Sequence, residues 1–178
     1  LDYSAQGWRA RHAGTRTSSS LSLRYLEVAV GNRRSTPAIG DNLVDWILSR
    51  LACGSLVDVA ALEHISGIQR VLTLSEQRRP PLPSLMYGHH EAIPDEVWLP
   101  PDLWERRVES LRYLLVHGTV LVHCRLGISR APALCAAYLI RCGMAAEEAH
   151  AFVQSKRPVT NIHPETWRGV LEWAEGVS

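Results

Sequence analysis

One stretch of the chain decides its fold: Val120-Leu121-Val122-His123-Cys124-Arg125-Leu126-Gly127-Ile128-Ser129-Arg130. Its first three residues are apolar and mostly β-branched, which is typical of a buried strand. The next residues, Ala131-Pro132-Ala133-Leu134, place a proline in the first turn of a helix, where its missing N–H costs nothing. We therefore expect Cys124 at the end of a strand, and residues 124–130, here called the cysteine loop, to curl into the start of a helix.

The cysteine loop combines a thiol with a site for an anion. Consecutive backbone N–H groups in such a loop can converge on one point, and the start of the helix adds partial positive charge there. Arg130 adds a fixed positive charge. A positive setting of this kind favours the thiolate form of a cysteine over the thiol. A thiolate beside a bound phosphoryl group can attack its phosphorus atom, so Cys124 is a candidate nucleophile.

Residues 123–130 fit the pattern His-Cys-x-x-Gly-x-x-Arg, and here the chain resembles the cysteine-based phosphatases, in particular the small atypical dual-specificity phosphatases. The resemblance implies that Cys124 forms a cysteinyl-phosphate and that Arg130 binds two phosphoryl oxygens at once. It also implies that His123 orients the loop and supports the thiolate. The implied phosphate-binding residues are Arg125, Leu126, Gly127, Ile128, Ser129 and Arg130.

Thiolate attack also needs an acid, because an alkoxide or a phenolate leaves poorly unless it is protonated. The proline-rich segment 89–102 contains four carboxylates, at Glu91, Asp95, Glu96 and Asp102. The related phosphatases carry a similar Ile-Pro-Asp triplet before the nucleophile, and Asp95 precedes the cysteine of the loop by 29 residues. The resemblance therefore implies Asp95 as the general acid, with Glu96 and Glu91 as alternatives. Asp102 directly precedes an apolar periodic run, which predicts that it caps the N-terminus of a helix.

One position departs from the family pattern. Most members follow the arginine with serine or threonine, whose hydroxyl is expected to stabilise the departing thiolate when water hydrolyses the intermediate, but this chain has Ala131. The triplet Arg130-Ala131-Pro132 resembles the phosphatases of regenerating liver, which share this substitution. We therefore expect slow discharge of the phosphoenzyme. Ser129 either donates a hydrogen bond within the loop or is a small residue tolerated in a tight turn.

Composition narrows the classes of function. The 178 residues include 19 basic and 18 acidic side chains, which argues against a strongly electrostatic partner such as nucleic acid or an anionic membrane. The four cysteines include no close Cys-x-x-Cys pair, so we predict no metal, no other cofactor and no disulfide framework. No stretch approaches the ~20 apolar residues of a membrane span. A reactive thiolate needs a reducing compartment, so we expect a cytoplasmic location.

The order of the predicted elements indicates an α/β domain. We predict a central mixed, largely parallel sheet flanked by helices, as in the dual-specificity phosphatases. Residues 1–22 are polar and lack the apolar core of a signal peptide, so we predict a flexible arm there and a single phosphatase domain at residues 23–178. The predicted strands are at residues 25–30, 46–52, 69–74 and 120–122, and the predicted helices at 57–65, 103–116, 132–141, 145–156 and 164–174.

The favoured function is a dual-specificity protein phosphatase that acts on phosphotyrosine and on phosphoserine or phosphothreonine, with a phosphorylated protein as its partner. Two alternatives remain open. A phosphate-recognition module with little turnover would also use an intact anion site, and Ala131 makes it credible. A phosphoinositide or small-molecule phosphatase would use the same chemistry, with Arg125 holding a second phosphate.

Overall fold

The computed structural model describes residues 44–177. The predicted arm at residues 1–22, the predicted domain start at residue 23 and the predicted strand at residues 25–30 lie outside the described residues. The described part of the chain forms a five-stranded sheet with helices packed on both of its faces. The predicted fold class is therefore confirmed.

The sheet has the strand order β1-β2-β5-β3-β4. Its central strand, β5, pairs in parallel with β2 and with β3, while β1 pairs with β2 in antiparallel orientation. The residues of β5 are fully buried on both faces, as expected for a parallel strand covered by helices. The strands are β1 (Asp45–Leu48), β2 (Leu51–Gly54), β3 (Arg70–Thr73), β4 (Tyr87–His90) and β5 (Val120–His123).

Two apolar cores lie on opposite faces of the sheet. Because successive side chains of a strand point to opposite faces, Val120 and Val122 join the larger core and Leu121 joins the smaller one. The larger core holds the buried faces of the four long helices, and the smaller core packs under α1 and a 3₁₀ turn at Leu62–His64. The helices are α1 (Leu56–Ala60), α2 (Pro101–His117), α3 (Arg130–Arg141), α4 (Ala146–Lys156) and α5 (Pro164–Glu175).

The predictions for residues 46–65 are wrong in two respects. The single strand predicted at residues 46–52 is instead an antiparallel hairpin, because the polar pair Ser49-Arg50 forms a turn between β1 and β2. The helix predicted at residues 57–65 ends early, at Ala60, and continues as the 3₁₀ turn. Its start is fixed by Ser55, which forms a capping box with Asp58.

Asp102 does not cap the N-terminus of α2, so that prediction is also wrong. The N-cap is Pro100, and α2 begins at Pro101. A proline already has the backbone φ of a first helical residue and lacks the N–H that would need a cap, so the helix starts one residue before Asp102. Asp102 lies in the first turn, where its negative charge favours the positive end of the helix.

Within residues 44–177, none of the helices has the length and the apolar character needed to cross a membrane. The longest, α2, has 17 residues and carries several charged side chains along its exposed face.

Candidate active site

Cys124 lies directly after β5, where the chain turns toward the start of α3. Its side chain is buried, and its Sγ accepts a hydrogen bond from the backbone N–H of Gly127 at 3.2 Å. Gly127 has a φ of +71°, in the left-handed region that favours glycine, and a Cβ there would lie 2.5 Å from the carbonyl oxygen of Gly54. Only glycine therefore allows the cysteine loop to close this tightly around the sulfur.

Arg130 is the first residue of α3, and its guanidinium is buried beside the cysteine loop. One terminal nitrogen donates to the carbonyl oxygen of Ile93 at 2.9 Å, and the other pairs with Oδ2 of Asp95 at 3.0 Å. Its Nε finds no hydrogen-bond acceptor among residues 44–177. A buried donor without a partner is costly, so Arg130 retains an unmet capacity to bind an anion.

Residues 91–96, here called the acid loop, continue from β4 along the end of the sheet. The N–H of Glu91 donates to the carbonyl of Thr73 at 2.9 Å, and the N–H of Ile93 donates to that of Leu74, also at 2.9 Å. Arg107 of α2 donates to the carbonyl of Ala92 at 2.8 Å. The acid loop is therefore bonded to β3, α2 and Arg130, which holds it next to the cysteine loop.

The four candidate carboxylates occupy different settings. Asp95 pairs with Arg130 while 48% of its side chain stays exposed. The Asp95 carboxylate can therefore contact both the arginine and a molecule bound from solvent. Glu91 instead accepts hydrogen bonds from Ser110 and His89, away from this pairing. Glu96 and Asp102 are exposed. Of the four, Asp95 is the carboxylate that the structure brings to the arginine of the cysteine loop.

His123 is fully buried at the end of β5. Its Nδ1 lies 3.2 Å from the carbonyl oxygen of Cys124, and its Nε2 lies 2.9 Å from Oγ1 of Thr73. A carbonyl can only accept, so Nδ1 carries the proton and Nε2 accepts from the threonine hydroxyl. Burial lowers the pKa of His123 to about 4, despite the opposing bond to the Cys124 carbonyl. The imidazole is therefore neutral at pH 7 and acts on the cysteine through the backbone.

The buried imidazole predicts a loss of stability in mild acid. In the unfolded chain His123 binds a proton near pH 6.5, whereas in the folded chain it does so only near pH 4. The unfolded state thus binds more protons between these values, and stability falls as the pH drops through that window, by about 2 kcal/mol at pH 5. Urea unfolding at pH 7.5 and pH 5 measures this loss.

The variant His123→Asn isolates this contribution, because asparagine keeps a donor for the Cys124 carbonyl but does not titrate. Its loss of stability between pH 7.5 and pH 5 is expected to be smaller than that of the parent chain. The control His64→Asn, at an exposed histidine, should keep the full loss. Equal losses in the parent chain and in His123→Asn would contradict the neutral, buried imidazole.

Three contacts of His123 and the cysteine loop are not indicated by the sequence. Thr73 bonds to His123, the buried Arg157 donates to the carbonyl of Gly127, and His163 donates its N–H to Oγ of Ser129. The hydroxyl of Ser129 therefore accepts a bond from outside the loop. These residues lie far from the loop in sequence, so no local motif indicates them. Within residues 44–177, no group of histidine, cysteine or acidic side chains is arranged to hold a metal ion.

Comparisons with known proteins point to the same kind of site. The family model described as "Dual specificity phosphatase, catalytic domain" matches residues 112–176, which include the cysteine loop. Over residues 112–176 the chain is therefore similar to the catalytic domain of the dual-specificity phosphatases. Protein-tyrosine-phosphatase IBR5 of Arabidopsis thaliana is 44% identical over 59 residues, which cover 33% of this chain and 23% of the relative. Dual specificity protein phosphatase 14 of Homo sapiens is 38% identical over 58 residues, covering 32% of this chain and 29% of the relative.

Solved structures share the dual-specificity phosphatase fold. Human DUSP28 superposes with a TM-score of 0.65 at 25% sequence identity, covering 80% of this chain and 98% of that one. The human tyrosine phosphatase-like serine/threonine/tyrosine-interacting protein has a TM-score of 0.64 at 24% identity, covering 74% of this chain and 95% of that one. By contrast, the chain spans less than a third of the length of the two curated relatives.

Proposed function

We propose that the chain is a cysteine-dependent phosphomonoesterase that removes phosphate from phosphotyrosine and from phosphoserine or phosphothreonine in proteins. The observation that supports this most directly is the placement of Cys124, whose buried Sγ accepts the Gly127 N–H inside a loop that ends at the N-terminus of α3. Helix N-termini and convergent N–H groups favour a phosphate dianion. The sulfur would therefore lie next to a phosphoryl group bound in the loop.

In the first step, the thiolate of Cys124 attacks phosphorus. An S–P bond forms while the ester P–O bond breaks, and Asp95 in its protonated form gives its proton to the leaving oxygen. Arg130 binds the phosphoryl oxygens with its Nε and with the terminal nitrogen that Asp95 holds in the free protein. Substrate binding therefore displaces the Asp95 carboxylate from the arginine.

In the second step, water attacks the phosphorus of the cysteinyl-phosphate. Asp95, now a carboxylate, takes a proton from the water, the S–P bond breaks, and Cys124 leaves as a thiolate. A hydroxyl group at position 131 would donate to this departing sulfur, but Ala131 is buried and has none. The hydroxyl of Ser129 is engaged by the N–H of His163 at 3.0 Å. We infer that this second step limits turnover.

The residues around the loop support a protein substrate. Leu126 has 61% of its surface exposed, and Arg125 is also exposed, so an apolar and a basic side chain border the site. A phosphorylated protein segment is a partner of matching chemistry, and no nucleic acid is expected. A cytoplasmic location is part of the proposal, because the reduced thiol of Cys124 is needed for activity.

The proposal is tested by rapid-quench hydrolysis of para-nitrophenyl phosphate without added metal. We expect a burst of one para-nitrophenol per chain, followed by slower turnover, with one phosphoryl group recovered on the Cys124 peptide by mass spectrometry. The variant Ala131→Ser is expected to raise the steady rate without changing the burst, because the added hydroxyl assists only the second step. Turnover without a phosphorylated Cys124 peptide would contradict the mechanism.

A second candidate is a phosphate-recognition module that binds phosphorylated protein and turns over little. The absence of a hydroxyl at Ala131 favours it, because a site that only binds phosphate has no need of the hydroxyl that would discharge a cysteinyl-phosphate. One structural relative is itself described as phosphatase-like and interacting. No burst and no turnover, together with binding of a phosphotyrosine peptide, would favour this candidate over the enzyme.

A further inference from the structure

The carbonyl groups of the cysteine loop are bonded from outside the loop. The carbonyl of Arg125 accepts from the N–H of Leu56 at 3.1 Å. That of Gly127 accepts from Nε of Arg157 at 2.6 Å, and that of Ile128 accepts from the N–H of Asn161 at 2.7 Å. Two of these three donors belong to one segment, residues 157–163, which follows α4 and passes along the loop. In this segment Arg157 donates from its side chain, whereas Asn161 donates from its backbone N–H.

These bonds determine where the N–H groups of the loop point. In a trans peptide the C=O and the N–H lie on opposite sides of the same rigid plane. A donor that holds the Gly127 carbonyl outward therefore turns the N–H of Ile128 inward. The bond from Asn161 to the Ile128 carbonyl turns the N–H of Ser129 inward in the same way. An anion site made of backbone N–H groups depends on this orientation.

Arg157 is itself fixed from the opposite side. Its guanidinium is buried, and one terminal nitrogen pairs with Oδ2 of Asp45 in β1 and lies 3.4 Å from the carbonyl of Cys53 in β2. Its positive charge is therefore balanced by Asp45. The guanidinium joins the β1-β2 hairpin to the Gly127 peptide, and it also fills the space that a side chain at Gly127 would need. Arg157 therefore affects the loop mainly by fixing the orientation of the Gly127 peptide, and less by its charge.

We propose that Arg157 is a positioning residue for the reaction: it orients the peptide between Gly127 and Ile128 so that the N–H of Ile128 points toward the bound phosphoryl group. Asp45 holds Arg157 in place for this purpose. The role rests on the proposed function, because an oriented N–H group matters only where an oxyanion binds. It extends that function to two residues, one before and one after the cysteine loop, that do not touch the substrate.

The test compares Arg157→Met and Arg157→Lys with the control Lys156→Met. Lys156 is an exposed neighbour that contacts the Phe152 ring, so its replacement removes a charge without touching the loop. We expect the dissociation constant of inorganic phosphate, measured by calorimetry, to rise about tenfold in Arg157→Met. Phosphate binding should remain impaired in Arg157→Lys, because a single ammonium group cannot replace the two guanidinium nitrogens that bond to Asp45 and to the Gly127 carbonyl. Lys156→Met should stay within about twofold of the parent chain.

A second readout separates positioning from a general loss of stability. The rate constant of the burst with para-nitrophenyl phosphate is expected to fall in both Arg157 variants, whereas lower stability alone would reduce only the amplitude of the burst. If Arg157→Met does not fold, Arg157→Lys and Asp45→Asn provide the same test. A folded Arg157 variant with the parent's phosphate affinity and burst rate constant would overturn the role of Arg157. A parent chain that neither binds phosphate nor forms a cysteinyl-phosphate would instead overturn the proposed function, and this role with it.

Discussion

Replacing Cys124 with serine is expected to lower hydrolysis of para-nitrophenyl phosphate at least about 10⁴-fold, because a serine hydroxyl is not ionised. Within residues 44–177, the hydrogen-bond partner of the sulfur is the N–H of Gly127, which cannot act as a general base. The neutral His123 bonds to the Cys124 carbonyl and to Thr73, so its Nε2 is not free to take the proton. The loss should appear in kcat and should abolish the burst.

Binding of phosphate is expected to survive the same change. Serine is close to cysteine in size, and the N–H groups of the loop together with Arg130 remain in place. Calorimetry with inorganic phosphate should therefore give a dissociation constant within about threefold of the parent value, or a lower one, since a thiolate no longer repels the dianion.

The matched control for this variant is Cys142→Ser, at the C-terminal end of α3. Burial raises the pKa of the Cys142 thiol, which keeps it protonated and unreactive, so this change should leave hydrolysis intact. If Cys124→Ser kept a tenth or more of the parent rate, the nucleophile would be another residue, and the proposed function would lose its main support.

The strand, the loop and the helix start around Cys124 were predictable because their signals are local. A buried strand, a cysteine, a glycine and a helix start follow one another within residues 120–134, and each imposes a backbone geometry that is visible in sequence. The strand β4 (Tyr87–His90) shows the opposite case. Its sequence, Tyr-Gly-His-His, has no apolar alternation and contains a glycine, so its residues have little intrinsic preference for a strand. The strand forms because it pairs with β3. The Arg79 guanidinium lies against this glycine, and a Cβ at this position would have to displace it.

The supporting contacts of the site could not be predicted, because each joins distant parts of the chain. Arg157 reaches Gly127 across 30 residues and Asp45 across 112. An arginine at the end of an amphipathic helix is usually exposed, and its burial here depends on how α4 packs against β1. In the sequence, Asp95 is indicated by the Ile-Pro-Asp triplet and its distance of 29 residues from Cys124, both typical of the phosphatases that the chain resembles. The pairing that distinguishes it from Glu91 and Glu96 exists only when the acid loop meets α3.

Replacing Asp95 with asparagine is expected to have opposite effects on chemistry and on binding. Loss of the proton donor should lower hydrolysis of a phosphoserine peptide roughly 10²- to 10³-fold, because an alkoxide leaves poorly without a proton. Para-nitrophenolate is a stable leaving group, so the loss with para-nitrophenyl phosphate should be about tenfold or less. The ratio of the two losses, measured as kcat/KM, is the informative quantity.

Phosphate affinity should rise in the same variant. In the free protein the Asp95 carboxylate occupies a terminal nitrogen of Arg130, at 3.0 Å, and a phosphate must displace it. Asparagine presents a neutral oxygen that competes less well. Asp95 is 48% exposed, so solvent screens the pairing and the gain should be modest, about threefold in the dissociation constant of inorganic phosphate. A purely catalytic acid that did not contact Arg130 would show no such gain.

Asp102→Asn is the matched control, since it removes an exposed carboxylate from the first turn of α2 and should change neither hydrolysis nor phosphate affinity. If Asp95→Asn lowered hydrolysis of the peptide and of the aryl ester equally, the proton would come from elsewhere. Glu96 and Glu91 would then be the residues to replace. If instead hydrolysis showed the expected dependence on leaving group while phosphate affinity fell, Asp95 would be the acid but its pairing with Arg130 would assist binding instead of opposing it. The two measurements together therefore separate the role of Asp95 toward the leaving oxygen from its role toward the arginine.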